Sequence, residues 1–465
     1  MQIPYIKTIR VIGIHGHQNV EVTLQEGLNI IHGKNGSGKT TLLHILTNIL
    51  EKDIERFCYV AFEHITVTMS NKTELSLIQA DDEVKVLLNG VHIGTVKRGQ
   101  ETPPAIVILL KEHLGGRPVY LPAFRTILEG TITNRFSRGL NATPSDRDEA
   151  QRIVRIEERN ASDETRRMRN FYPERTEPTV TKTLTCRHWF GPFVPIIRYP
   201  SLAEVLRQVD AEYQRALLQV SSTDQRALSS VFVQVLQAIF EESPVEAKGD
   251  LPSMFNALRI KLEALGESEQ HLMRSHTKLV EFFEKPIPEA RMQSALIDAI
   301  LRVYDRALSE RTEVEKKAFA TIRTFEKSVN KFLDTKRIMI SGANFAPRDQ
   351  LIELEDGKRY GLSVLSSGER HVVTLLFSAT HMSSNDGAVL IDEPELSLHV
   401  DWQRLILSEL IKQVGQRQLI SCTHSPEVAA DHQECLVELK FTRYSGPPDL
   451  FELAGVEHLT IGEEE

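Results

Sequence analysis

Gly33-Lys34-Asn35-Gly36-Ser37-Gly38-Lys39-Thr40 is the stretch on which the reading of this chain turns. It matches the phosphate-loop pattern G-x-x-x-x-G-K-[ST] in full. The apolar run Leu28–Ile31 leads into it, and Leu42, Ile45, Leu46 and Ile49 follow at helical spacing within Thr41 to Leu50. A glycine-rich loop between a strand and a helix is the context the pattern requires. Upstream, Ile6–Ile14 and Val20–Leu24 read as two more strands, so the fold opens as α/β.

Working outward, four further motifs appear in order. They are Leu365-Ser366-Ser367-Gly368-Glu369, Val389-Leu390-Ile391-Asp392-Glu393, Leu396-Ser397-Leu398-His399 and Thr423-His424-Ser425. The chemistry they imply is that of a split ATP site. Backbone amides from Gly36 to Thr40, helped by Gly33, Asn35 and Thr41, can ring the phosphates, because glycine permits close approach and the following helix presents its positive end. Lys39 supplies a charge to the β- and γ-phosphates, and Thr40 places a hydroxyl on Mg²⁺. Asp392, ending an apolar strand, is suited to hold that ion through water. Glu393 is next in line to act as general base on the attacking water, and His424 to reach the γ-phosphate.

Between the motifs the character of the chain changes three times, predicting segments 1–125, 126–200, 201–336 and 337–465. From Phe57 to Val96 alternation predicts an antiparallel lobe, with Asn89-Gly90 as a hairpin turn. Ile106–Leu110 and Val119–Leu121 read as strands. Residues 126–200 carry Arg152, Arg155, Arg159, Arg166, Arg167 and Arg169 among Glu157, Glu158, Asp163 and Glu164. Mixed signs favour a solvated helix or loop, and contact with an acidic partner or nucleic acid is the other reading. Ser201-Leu202-Ala203-Glu204 predicts a capped helix start, and Ser222-Thr223-Asp224-Gln225 a second one. Ile297, Leu301, Tyr304 and Leu308, then Ala318, Ile322, Phe325, Val329 and Phe332, form a short seam for an antiparallel helical arm. Strands are expected at Arg337–Ile340 and Gln350–Leu354, and a helix from Glu369 to about His381.

Composition narrows the class. A net charge of −9 argues against a constitutively basic nucleic-acid binder, although local basic surfaces can sit within an acidic total. Cys58, Cys186, Cys422 and Cys435 lack metal-ligand or redox spacing and read as reduced thiols. No basic-then-apolar leader opens the chain, and no window nears the roughly 18 apolar residues of a membrane span, so a cytoplasmic protein without membrane contact is expected.

Together the phosphate loop, Leu-Ser-Ser-Gly-Glu, Asp-Glu-Pro and Thr-His-Ser-Pro resemble the ATP-binding-cassette ATPases. The resemblance implies an ABC-type head with a mixed sheet, an antiparallel β lobe and an inserted short coiled-coil arm. It also implies a head-to-head dimer sandwiching ATP and Mg²⁺, with Ser366, Ser367, Gly368 and Glu369 of one copy acting on nucleotide held by the other, and Ser397 and His399 communicating across the dimer. No glutamine loop is evident; Leu121-Pro122-Ala123-Phe124-Arg125 takes its place, making Arg125 a candidate nucleotide or switch residue.

The long insertion sets the chain apart from transporter ATPases. The wording Asp392-Glu393-Pro394-Glu395-Leu396-Ser397-Leu398-His399, followed by Gln403, is similar to the overcoming-lysogenization-defect relatives. The layout most resembles the ATPase subunits of PARIS-type anti-phage systems. That resemblance implies a ring-like assembly restraining a separate Toprim-type nuclease until a phage-encoded trigger protein is detected. A fused nuclease is not expected in residues 425–465. Two alternatives stay open: the ATPase of a Septu-type system with an HNH nuclease, and a DNA-binding repair clamp of the SMC/RecF kind.

Overall fold

The computed structural model describes residues 3–16, 18–34, 36–124, 144–160, 176–240, 253, 256–261, 295–340, 351–380 and 387–443. Asn35, Arg125, Arg166, Arg167, Arg169 and His381 lie outside them. The chain divides into two compact units, residues 1–200 with 383–465 and residues 201–382.

The first unit is built on two sheets. The antiparallel sheet contains β1 (Ile6–Ile14), β2 (Gln18–Thr23), β4 (His64–Met69), β5 (Glu74–Ala80), β6 (Glu83–Leu88), β7 (Val91–Lys97) and β15 (Lys440–Arg443), in the order β15-β2-β1-β4-β5-β6-β7. Its alternation is what the sequence predicts: His64 to Met69 alternate half-buried and buried, so one face meets the core. Asn89 and Gly90 take φ of 52° and 78° between β6 and β7, the pair of left-handed residues a two-residue hairpin needs. The second sheet holds β3 (Leu28–His32), β8 (Val119–Leu121), β12 (Val389–Asp392), β13 (Leu419–Thr423) and β14 (Leu436–Val437), ordered β14-β3-β13-β12-β8 with every described pairing parallel. Helix α1 (Lys39–Glu51) follows β3 and is buried along nearly its whole length.

Two expectations in this unit are corrected. Ile106–Leu110 is not a strand but part of helix α2 (Pro104–Leu114). Pro104 sits at the helix start, and the buried set Ile106, Val107, Leu110 and Leu114 follows helical spacing, leaving Ile108 and Leu109 exposed. The five-residue apolar window was too short to separate the two periods. Nor are the described helices of the charged insertion a solvated face throughout. Helix α3 (Pro144–Asn160) and helix α4 (Thr176–Phe190) are bound to the unit by buried ions. Arg152 pairs with Asp53 and Glu55, Arg56 with Glu55 and Glu149, and Arg187 with Glu149. Arg117 and Arg198 both hold Glu157, and Arg198 also holds Glu51. Alternating sign along the helix reflects partners distributed around it within the same chain. Arg155, paired with Glu101, is half exposed as a solvated-face reading would have it.

The second unit begins with α5 (Leu202–Phe240), whose 39 residues span about 58 Å at 1.5 Å per residue. Its start is the expected capping box: Ser201 N–H donates to Glu204 at 2.5 Å, and Glu204 N–H to Ser201 Oγ at 3.3 Å. No second start occurs at Ser222. Ser222 and Thr223 instead donate their hydroxyls back to the Gln219 carbonyl, at 2.9 and 3.0 Å, and the helix runs on. Helix α6 (Ala295–Ala318) packs along α5, with the Tyr213 and Phe319 rings 5.3 Å apart near the start of one and the end of the other, so the pair is antiparallel. Leu301 of the seam is buried. Helix α7 (Ala320–Val329) continues after a break at Phe319, burying Ile322, Phe325 and Val329. A small sheet of β9 (Lys336–Ile338), β10 (Ile352–Leu354) and β11 (Arg359–Tyr360) then leads to α8 (Ser367–Ala379), whose Phe377 packs edge-on against Phe325. Among the described residues, no helix is long and apolar enough to cross a membrane. Cys58, Cys186 and Cys422 are buried free thiols.

Candidate active site

Parallel pairing decides where the motifs converge. Asp392 lies opposite Cys422, Cys422 opposite Ile31, and Leu121 opposite Ile391. The carboxyl ends of β3, β13, β12 and β8 therefore form one edge, the edge at which open α/β sheets bind ligands. The phosphate loop, Glu393, His424 and the Pro122–Phe124 segment all leave the sheet there.

The loop's shape follows from its glycines. Gly36 and Gly38 adopt φ of 76° and 74°, which cost glycine little. A Cβ on Gly33 would stand 3.1 Å from Ser37 Oγ, so the loop closes tightly on itself. Gly38 caps α1 and no side chain caps it, leaving the first-turn amides to an incoming anion. Lys39 begins the helix and is 5 % exposed. Its ammonium donates to the carbonyls of Gly33 and Lys34 at 2.8 and 3.0 Å and lies 3.3 Å from His424 Nδ1. Burial pulls the Lys39 ammonium below the ordinary lysine range, against the pull of the Asp392, Glu393 and Glu395 carboxylates nearby. Thr41 is half-buried and lines a small cleft with His15 and Gln18.

Thr40 Oγ1 donates to Asp392 Oδ2 at 2.7 Å, and Asp392 is 2 % exposed. A hydroxyl and a carboxylate in contact at the phosphate loop are hard oxygen donors that fit Mg²⁺. The next residue, Glu393, turns out of the sheet with φ of 50° while its N–H still bonds the Cys422 carbonyl at 2.8 Å. A left-handed glutamate is uncommon and held here by its surroundings. Its carboxylate lies 3.4 Å from His424 Nε2, with both side chains about 30 % exposed and so open to water. His424 thus stands between Lys39 and Glu393. The tautomer protonated at Nε2 satisfies both contacts, accepting from the ammonium and donating to the carboxylate.

Two residues without an assigned role in the sequence reading hold this arrangement. Glu395 Oε1 accepts from the Thr423 hydroxyl at 2.6 Å and from the His424 and Ser425 amides at 2.9 and 3.1 Å. Gln403, in α9 (Val400–Val414), accepts from Ser425 Oγ at 2.7 Å and donates to the Leu398 carbonyl at 3.0 Å. Ser397 and His399, by contrast, are exposed; Ser397 has φ of 66°, and His399 caps α9 beside Asp401.

In the second unit, Ser366 and Ser367 are exposed at the start of α8. Ser366 Oγ accepts the Glu369 N–H at 3.3 Å, and Glu369 returns a bond to the Ser366 N–H at 2.6 Å, while Gly368 lies within the first turn. The Glu369 carboxylate also takes two hydrogen bonds from Lys336. Burial works to raise its pKa, yet the bonds from Lys336 and Ser366 hold it below the usual carboxylate range. Glu369 therefore faces its own cap.

Two protein-family models match the chain. One, described as "AAA domain, putative AbiEii toxin, Type IV TA system", matches residues 212–431, and one described as "AAA domain" matches residues 8–184. Both describe AAA-type ATPase domains, to which these stretches of the chain are similar. A stretch of 78 residues is 33 % identical to "Retron Ec83 probable ATPase" of Escherichia coli, covering 17 % of this chain and 14 % of that protein. The match thus spans only a small part of the relative's length. Among solved structures, an Smc head domain with an extended coiled coil from Pyrococcus furiosus aligns with 95 % of this chain and 97 % of its own, at a TM-score of 0.37 and 12 % identity. The recombination mediator RecF aligns with 94 % and 98 %, at a TM-score of 0.33 and 12 % identity. The loop, strand order and site edge described above are those of an α/β fold with a phosphate loop.

Proposed function

We propose that this chain binds and hydrolyses ATP. The observation that carries the reading is the line Lys39–His424–Glu393 beside the Thr40–Asp392 contact, all at one sheet edge. The loop amides and Lys39 bind the phosphates, Thr40 and Asp392 hold Mg²⁺, and bound Mg²⁺ supplies neutralisation of phosphate charge. Glu393 takes a proton from water as the water oxygen bonds the γ-phosphorus and the bond to the bridging oxygen breaks, giving ADP and phosphate. His424 keeps the glutamate carboxylate turned toward the site. Ser366, Ser367 and Gly368 act on nucleotide held by a second copy, through the exposed serine hydroxyls and the first-turn backbone of α8.

The cellular role we infer is that of a control subunit in bacterial anti-phage defence, restraining a separate Toprim-type nuclease and releasing it when a phage protein is detected. The likeness to a retron ATPase and to the AbiEii-described domain supports a defence setting. The nuclease and the trigger are carried by the motif resemblance alone. The chemistry is tested with Glu393→Gln, which is expected to bind ATP as the wild type does and to hydrolyse none, and with Lys39→Ala, expected to lose binding. Normal turnover in Glu393→Gln would remove the base assignment.

A further inference from the structure

We infer that Glu395 is the positioning residue that holds His424 between Lys39 and Glu393, with Gln403 as a second tie; this rests on the hydrolytic reading above. The sheet gives His424 no support of its own. The β13–β3 ladder ends at Thr423, opposite His32, so the next two amides have no strand to bond. Both end on one carboxylate oxygen, Glu395 Oε1, which also accepts the Thr423 hydroxyl. Bonds from N–H groups to an ionised acceptor are the stronger kind. Ser425 is tied again through its hydroxyl to Gln403, and Gln403 to the Leu398 carbonyl. Thus both ends of the histidine are fixed by one stretch: its ring by Glu393, its backbone by Glu395 two residues on. The turn between them is closed by Leu396 N–H on the Glu393 carbonyl and Leu398 N–H on the Glu395 carbonyl. A movement of that turn displaces His424 and Glu393 together, so the same segment sets the readiness of both groups.

The substitutions separate acceptor geometry from charge. The second oxygen of Glu395 is buried without a hydrogen bond, so Glu395→Gln keeps an acceptor for all three donors and breaks no other bond. ATP turnover of the full chain would be measured for wild type, Glu395→Ala, Glu395→Gln, His424→Ala and the Glu395→Ala/His424→Ala double variant. Glu395→Ala is expected to lower kcat by about 10- to 100-fold, the scale of a misplaced reacting group, with affinity for a non-hydrolysable ATP analogue unchanged. Glu395→Gln should recover most of that loss, and the double variant should be no slower than His424→Ala, because both changes act through the same ring. Wild-type kcat in Glu395→Ala, multiplied losses in the double variant, or no recovery by glutamine would each overturn the inference. Should Glu395→Ala not fold, Gln403→Ala replaces it in the same cycle. A wild type that does not hydrolyse ATP would instead sink the hydrolytic reading, and an active Glu393→Gln only its base assignment.

Discussion

Asp392 is the residue whose environment most constrains its use. It is nearly inaccessible, and its Oδ2 takes a hydrogen bond from Thr40 across 352 positions of sequence. Replacing it with asparagine preserves the shape and an acceptor for Thr40 but removes the charge. Asp392→Asn is therefore expected to raise the Mg²⁺ concentration for half-maximal turnover by about tenfold or more, as loss of a metal-supporting group does. An unchanged Mg²⁺ dependence would show that the carboxylate does not support the ion. The motif spelled out Asp392, Glu393 and Lys39 because local patterns carry them. It did not reveal what Glu395 holds, since its partners lie 28 to 30 positions away and meet it only when β12 and β13 pair in parallel. Lys336, which engages Glu369 from 33 positions away, was hidden for the same reason.

At the level of elements, α3 shows how ions can replace an apolar interface. Among the described residues, Ile153 and Ile156 give it a core contact, packed with Ile196, while Arg152 is buried and Glu157 half-buried in ion pairs. Burial alone would raise the Glu157 carboxyl, but the Arg198 and Arg117 guanidiniums overcome it and hold the group at about 2. A depressed carboxylate contributes stability above its unfolded value of 4.5, and that contribution fades as pH falls toward about 2. Glu157→Gln is expected to cost about 3 kcal/mol at neutral pH, because the partly buried Arg117 and Arg198 guanidiniums lose the carboxylate they share, Arg198 keeping only Glu51. The variant's stability should also fall less steeply than the wild type's below the carboxylate range. Matching acid-unfolding curves for the two proteins would refute this account. The sequence signalled the insertion's charges but not their direction. A mixed-sign helix looks alike whether its partners are water or the arginines and carboxylates of another segment.

For the whole molecule, the exposed signature at the start of α8 and the phosphate loop at the sheet edge belong to two different compact units. The proposed function needs copies of the chain to meet and a nuclease to be held. Purification together with the product of the adjacent gene, followed by mass measurement with ATP, is expected to give an assembly of at least two copies bound to a Toprim-type protein. A monomer at every nucleotide state, or a companion without that domain, would refute the assembly or the effector respectively.

The phosphate loop was legible from sequence, because it is a local object: glycines at fixed offsets, a lysine, and a helix beginning at once. The antiparallel lobe was legible too, since period-two alternation and Asn89-Gly90 fix one buried face and one turn. Tertiary structure decided the rest. It made Ile106–Leu110 helical by giving one face of Pro104–Leu114 a core to meet. It turned Arg152 of α3 inward by placing Asp53 and Glu55 beneath it. It also set His424 between a cation and a carboxylate, held by a glutamate that pattern alone could not connect to it. Those contacts join segments remote in sequence, and sequence spacing carries no record of which segments will pair.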